Sequence, residues 1–313
     1  MKKQLLTALV PAYNEEDCIY ELYNRVTNVL KGLKNYDYEI LVINDGSKDN
    51  TLSILEELHA KDKHIEYVNL ARNYGKETAM AAGFDYAKGD VVVILDADLQ
   101  TPPELIPEML KYYEEGYDDV YGRRKSRDDE TFLKRFGTKL YYKALQSLTR
   151  VDILKNTSDF RMLSRRAVEA LKKYREHNRY TKGIFALIGF KKKEFLYMPA
   201  TRFAGKTKWN YLSLLNLAVE GITSFSTFPL RLSSILGFVT ALVGFIYILF
   251  LVIKTLIFGA DIKGYPTLLS IIIFLGGIQL LSLGVIGEYL GRIFDEVKMR
   301  PLYLVEKYSG ENK

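Results

Sequence analysis

Val91-Val92-Val93-Ile94-Leu95-Asp96-Ala97-Asp98 passes from five consecutive apolar residues, four of them β-branched, straight into two carboxylates. A continuous apolar run of this length, without alternation, marks a strand buried on both faces, as in a parallel sheet covered by helices on each side. The flanking sequence repeats the theme. Strands are expected at Leu5–Val10, Tyr38–Ile43, Ile65–Leu70 and Asp119–Tyr121. Helices are expected at Glu15–Leu33, opened by Asn14 as N-cap with Asp17 three residues on, and at Thr51–Ala60, Lys76–Ala87 and Pro102–Glu115, the last with prolines in its first turn. Strands alternating with helices define an α/β chain with a mostly parallel sheet. Residues 126–200 are more irregular and basic, with helical periodicity at Phe132–Leu148 and Arg179–Ile188 and an extended stretch at Glu194–Met198.

In an open parallel sheet, ligands bind beyond the carboxyl ends of the strands. Asp96 and Asp98 stand at such an end, and residues two apart on an extended chain share a face. Two like charges held together repel unless a cation joins them. A hard divalent ion, Mg²⁺ or Mn²⁺, suits two carboxylates, with Gln100 adding an amide oxygen and donor phosphates and water completing the shell. The alternative is a solvated acidic turn. Pro11-Ala12-Tyr13-Asn14-Glu15 and Asn44-Asp45-Gly46-Ser47 follow the first and second strands in the same way. Either alone is ordinary turn chemistry. Together they line one crevice, with the Tyr13 ring available to a base and the Glu15 carboxylate to ribose or base N–H groups. Arg123, Arg124 and Arg127 cluster after a strand and suit a phosphate monoester, or else form a solvated basic loop near anionic lipid. No Gly-x-Gly-x-x-Gly follows the first strand, and there is neither a P-loop nor a Gly-x-Ser-x-Gly elbow. Those absences argue against dinucleotide, P-loop and serine-hydrolase chemistry.

The chain has 313 residues, a formal net charge of +6 and one cysteine, Cys18, so no intrachain disulfide forms. Without Cys/His clusters or an RNA-binding aromatic signature, the basic excess reads as membrane proximity and not as a nucleic-acid partner. Leu232–Ile253 offers 22 uncharged residues and Tyr265–Gly287 another 23, each long enough to cross a bilayer. A pair of buried core helices is the alternative. Lys206, Lys208, Arg231, Arg292, Lys298, Arg300 and Lys307 flank these runs, whereas the connector holds Lys254, Asp261 and Lys263. The positive-inside rule then places both termini in the cytoplasm. Trp209–Phe228 reads either as an amphipathic surface helix or as a soluble packing helix.

Taken in order, Val10–Glu15, Asn44–Ser47, Arg72-Asn73-Tyr74-Gly75-Lys76, Asp96–Gln100, Asn156-Thr157-Ser158-Asp159-Phe160-Arg161, Gly205–Asn210 and Gly284–Arg292 resemble the inverting glycosyltransferase family 2, with its glycosyltransferase A fold. Within it the chain is most similar to the polyprenyl-phosphate branch, the dolichyl-phosphate mannose synthases and bactoprenol glucosyltransferases. The resemblance implies donor contacts from Pro11, Tyr13, Glu15, Asp45 and Lys76, with Lys208 on a loop closing over the donor. It implies a metal and diphosphate site at Asp96, Asp98 and Gln100, and a carboxylate near the reacting centre at Asp159. It further implies a lipid-phosphate site at Arg124, Arg127, Lys134 and Thr138. The implied domain map is a cytoplasmic catalytic domain over 1–205, a juxtamembrane segment over 206–231, two spans within 232–290 (about 232–257 and 265–287), and a tail over 291–313. The implied partners are a nucleotide sugar, UDP-glucose or UDP-N-acetylglucosamine first, undecaprenyl phosphate in a bacterial plasma membrane, and further copies of the chain in a homo-oligomer, a tetramer. No Gln-x-x-Arg-Trp of the processive synthases is present, which favours transfer of a single sugar. Transfer to another glycolipid or wall polymer, and a non-catalytic scaffold, are the alternatives.

Overall fold

The computed structural model describes residues 3–125, 157–198, 200, 226–258 and 264–310. They fall into two compact units: the residues up to 200 together with 301–310, and residues 226–300.

The first unit is an eight-stranded sheet with helices on both faces. In chain order it contains β1 (Gln4–Ala12), α1 (Ile19–Lys31), β2 (Tyr36–Asn44), α2 (Thr51–Lys61), β3 (Ile65–Leu70), α3 (Lys76–Tyr86) and β4 (Val91–Ile94). A 3-10 turn at Pro103–Leu105 leads into α4 (Ile106–Glu114), then β5 (Asp119–Arg124), β6 (Thr157–Ser164), α5 (Arg165–Leu171), α6 (Thr181–Leu187), β7 (Lys192–Tyr197) and finally β8 (Val305–Tyr308). The strand order is β7-β5-β6-β4-β1-β2-β3-β8. β1 pairs in parallel with β2 and β4, as do β2 with β3 and β5 with β7, while β6 and β8 run antiparallel to their neighbours.

The β4 run is buried as its sequence requires: Val91 to Ile94 are all 0% exposed. Val91 and Val93 enter one core with Leu6, Ala8 and Val10 of β1, closed over by α1, α2 and α4. Val92 and Ile94 enter the other with Leu9, closed over by α3, α5 and α6. Each fully buried Leu or Phe in these layers contributes roughly 1.5–3 kcal/mol. The order β3-β2-β1-β4 reverses its direction of winding between β1 and β4. The carboxyl ends of β1, β2 and β4 therefore border the crevice where open α/β sheets bind ligands.

Four elements, α1, β6, α5 and β8, depart from the sequence reading. α1 begins at Ile19, because Asn14 adopts the left-handed conformation (φ 54°) and its side chain accepts the Lys48 N–H at 2.9 Å. Asn14 is thus a strut between two loops and not a helix cap. β6 and α5 were not anticipated, since Thr157, Ser158, Asp159 and Arg161 interrupt any apolar pattern. Ser164 ends β6 and caps α5 by accepting the Ala167 N–H. The expected tail over 291–313 contains a further strand. Residues 301–310 rejoin the sheet, with β8 antiparallel to β3, Ser309 Oγ accepting the Tyr67 N–H and Lys307 paired with Glu56.

The second unit is a helical hairpin of α7 (Phe228–Phe258) and α8 (Tyr265–Val297). Both are long and apolar enough to cross a membrane. At 31 and 33 residues, and a rise of ~1.5 Å per residue, each outruns the ~30 Å hydrocarbon core. Their surface presents Phe238, Leu256 and Leu280 outward. The Ser234 and Thr240 hydroxyls donate to carbonyls one turn back, Leu230 and Leu236, which satisfies them without water. α7 starts four residues before the expected Leu232, with Pro229 in its first turn. α8 runs past Gly287 on a polar last stretch carrying a Glu288–Arg292 pair. Residues 201–225, which hold most of the expected juxtamembrane segment, lie outside the described residues.

Candidate active site

The loops after β1 and β2 are laced together. Asn14 N–H donates to Ser47 Oγ at 2.9 Å, Glu15 N–H to Thr51 Oγ1 at 3.0 Å, and Asn50 N–H to Glu16 Oε2 at 2.9 Å. Pro11 is buried at the end of β1, and Tyr13 and Glu15 are half-buried on the rim.

Asp45, at the end of β2, is 2% exposed, and both its oxygens are engaged. Tyr74 N–H donates to Oδ1 at 2.7 Å and Gly75 N–H to Oδ2 at 2.8 Å. Burial pushes this carboxyl up, against those two bonds. The resemblance implies a nucleotide contact here; in the structure Asp45 also anchors the 72–76 turn. Gly46 permits the close approach, since a Cβ there would lie 2.3 Å from the Arg72 carbonyl carbon, at φ +61°. Gly75, at φ +90°, then turns the chain into α3, whose first residue is Lys76.

Lys76 stands between two carboxylates. Its Nζ lies 2.6 Å from Asp96 Oδ1 and 2.6 Å from Asp159 Oδ2. Sheet register explains why those carboxylates meet: Ile94 of β4 pairs antiparallel with Arg161 of β6, so Asp96, two residues on, comes abreast of Asp159, two residues back. Burial by itself would raise the Asp159 carboxyl; Lys76, aided by Lys182 and Arg161, overrides it and holds it at about 2. In turn the two carboxylates hold the Lys76 ammonium well above its ordinary value, against desolvation. Asp159 Oδ1 is buried without a hydrogen-bond partner.

Beneath Asp159 lies a residue to which sequence reasoning gave no task of its own. Arg161 is 1% exposed, donates to Asp119 Oδ2 at 2.6 Å, and lies 4.1 Å from the Phe185 ring centre and 5.3 Å from that of Tyr121. An arginine within a strand gives no sequence signal of burial; its carboxylate partner is 42 residues away.

Arg123 and Arg124 point to opposite sides, as neighbours on a strand do. Arg123 pairs with Glu194. Arg124 Nε donates to Tyr197 Oη at 3.3 Å. Desolvation would lower the Arg124 guanidinium, but that bond and the charges of Asp96 and Asp159 outweigh it. Arg124 therefore lies within reach of the carboxylate cluster's charge. Arg127, Lys134, Thr138 and Lys208 lie outside the described residues.

The Asp98 carboxylate accepts the Gln100 N–H at 3.1 Å, across a left-handed Leu99 (φ 58°). Among the described residues no group of three or more His, Cys, Asp or Glu is placed to hold a metal by itself. Asp96 and Asp98 nonetheless fit an ion such as Mg²⁺ or Mn²⁺, which binds through one or two carboxylates and takes its remaining ligands from substrate phosphates and water. They do not fit a metal caged by protein alone.

A doubly covered, mostly parallel sheet with carboxylates at its strand ends, two of them joined through Lys76 of α3, is an architecture of glycosyltransferase A type. The profile of glycosyl transferase family 2 matches residues 7–172, and that of the GtrB C-terminal hairpin matches residues 228–293. An uncharacterized glycosyltransferase of Synechocystis is 48% identical over 305 residues, covering 97% of this chain and 96% of its own. A prophage-derived bactoprenol glucosyl transferase of Shigella flexneri is 43% identical over 307 residues, covering 98% and 99%. Among solved structures, glucosyl-3-phosphoglycerate synthase from Mycobacterium tuberculosis superposes with a TM-score of 0.48 at 17% identity, covering 70% of this chain and 78% of that one. The chain belongs to glycosyl transferase family 2 and is a glycosyltransferase.

Proposed function

We propose that the protein transfers a single sugar from a UDP-sugar, glucose or N-acetylglucosamine, to undecaprenyl phosphate at the cytoplasmic face of the membrane, with inversion at the anomeric carbon. The observation that carries this reading is the Asp96–Lys76–Asp159 bridge at the strand ends, with Arg124 within its field. Relatives named as bactoprenol glucosyl transferases, 43% identical over nearly the whole chain, support the acceptor. The hairpin supports a membrane-anchored enzyme, and its basic flanks support a cytoplasmic catalytic domain.

Pro11, Tyr13 and Glu15 form the donor rim, held in place by the loop after β2 through Ser47 and Thr51. Asp96 and Asp98, with Gln100, hold a divalent ion, Mg²⁺ or Mn²⁺; when bound it neutralises the departing diphosphate. Arg124 offers counter-charge to the incoming lipid phosphate, with Arg127, Lys134 and Thr138 assigned to the same task by sequence similarity. Two anionic substrates meet only where such charge is supplied. The lipid phosphate oxygen forms the new bond to the anomeric carbon as the bond to the nucleoside diphosphate breaks on the opposite face.

Asp159 is an orienting carboxylate in this scheme and not a strong base. Held at about 2 beside Lys76, it has little affinity for a proton. None is required, because a phosphate monoester with a second pKa of about 6 is already largely ionised at neutral pH.

The test is a donor panel. Purified protein in nanodiscs receives undecaprenyl phosphate, Mg²⁺ or Mn²⁺, and each labelled nucleotide sugar in turn. Lipid-extractable label from one donor, absent without the lipid, is the expected result. Donor hydrolysis without labelled lipid would redirect the reading to another acceptor.

A further inference from the structure

We propose that Lys76 is a tethered counter-ion which occupies the carboxylate cluster until donor arrives, so that the divalent ion and the nucleoside diphosphate bind as one unit. The inference rests on the donor-site reading above and adds an order of binding to it.

The geometry is specific. Lys76 is the first residue of α3, placed by a turn that Asp45 anchors through two backbone N–H groups. Its Nζ reaches Asp96, a candidate metal ligand, and Asp159, a residue of a different strand, at 2.6 Å each. The Asp96 oxygen that faces the cluster therefore already has a cation. Lys76 remains 44% exposed along its side chain, so it has room to swing away.

Charge counting gives the consequence. Asp96, Asp98, Asp159 and the adjacent Glu77 bring four negative charges; Lys76, Arg124 and Lys182 bring three positive ones, while Arg161 is cancelled by Asp119. A bare divalent ion meets a net single negative charge and must displace an ammonium from Asp96. With the Lys76 charge removed, the same ion meets a net of two negative charges and an unoccupied carboxylate. A nucleoside diphosphate changes the balance in the intact protein, because its phosphate oxygens give Lys76 a new partner and the metal new ligands together. The ammonium then passes from Asp96 to the diphosphate while its aliphatic stem stays anchored at the head of α3. Lys76 is a positioning residue in this account, and it makes weak metal binding in the empty site a built-in property.

The experiment reads metal binding directly and needs neither sugar nor lipid. Mn²⁺ is titrated into detergent-solubilised full-length protein, and the free ion is counted by electron paramagnetic resonance, with and without UDP. Wild type is expected to bind Mn²⁺ weakly alone and at least about tenfold more tightly with UDP, the order expected when one unit charge is moved at a half-exposed site. Lys76→Met should bind Mn²⁺ alone about tenfold more tightly than wild type and lose most of the UDP dependence. Lys76→Arg, which keeps the charge, should retain that dependence. Melting curves of both variants confirm that they are folded. Equal UDP dependence in wild type and Lys76→Met would overturn the proposal while leaving the donor-site reading standing. Absence of any UDP-dependent Mn²⁺ binding in wild type would overturn both.

Discussion

Asp119 and Arg161 form the most deeply buried ion pair among the described residues, with side chains 0% and 2% exposed. Asp119→Ala removes the carboxylate and strands a guanidinium where water cannot follow. Breaking a buried pair from one side typically destabilises by about 3–5 kcal/mol. Two features of this pair place the effect at the lower end. Asp119 Oδ1 and Arg161 Nε have no partners, so the pair makes a single bond. The guanidinium also keeps the rings of Phe185 and Tyr121, and a desolvated cation–π contact offsets up to about 2 kcal/mol. A loss near 3 kcal/mol corresponds to a fall of ~6–12 °C in the melting temperature of a domain this size. Scanning fluorimetry in detergent, following the catalytic domain, measures it. Arg161→Met combined with Asp119→Leu should recover most of the loss, because an apolar pair of similar bulk leaves no charge behind. A shift under 2 °C for Asp119→Ala would show that the guanidinium finds another partner, and would refute the view that this pair fixes β6 beneath Asp159.

Asp159→Asn should lower turnover, and kcat for wild type and variant at saturating donor decides it. The same variant should flatten acid unfolding. The Asp159 carboxyl is depressed to about 2 in the folded protein, so its contribution is present above pH ~4 and is lost as pH falls towards about 2; acid titration followed by fluorescence, compared with wild type, shows the difference. Gly46→Ala should displace the 72–76 turn, through the clash with Arg72 and the positive φ, and destabilise by at least ~1–2 kcal/mol, with donor affinity falling as well; calorimetric titration with UDP reads the second effect. Arg124→Ala should raise the KM for lipid phosphate more than that for nucleotide sugar, and the reverse order would reassign the residue to the donor side.

Much of the sheet was legible because its strands carry their burial in their composition. Ile65–Leu70 matches β3 end to end, and the run from Val91 ends within one residue of its expected limit. Helices α2 and α3 likewise start where the turn residues before them indicate. The strands that escaped notice were those whose partners, and not their own residues, make them strands. β6 is polar along half its length and is held between β4 and β5, while β8 is four residues on a sheet edge. The site divides in the same way. Asp96 and Asp159 each stood out in a motif, but their meeting at Lys76 depends on an antiparallel register between segments more than 60 residues apart. Asp45 shows what a motif leaves out: the fold also engages both its oxygens with backbone N–H groups of a turn that no local pattern links to it.

The return of residues 301–310 to the sheet makes the hairpin an insertion within the catalytic domain, entered before α7 and left after α8. A protease that cuts once between Ala200 and Ser226 therefore severs the chain without separating the pieces at once. The large N-terminal fragment stays gripped by β8 through its pairing with β3, through the Ala71 N–H bond to the Leu304 carbonyl and through the Tyr303–Asp85 contact. Separation of the two pieces then requires that short strand to peel away. The rate at which nicked protein comes apart becomes a direct gauge of how firmly the last ten described residues are sewn to the sheet.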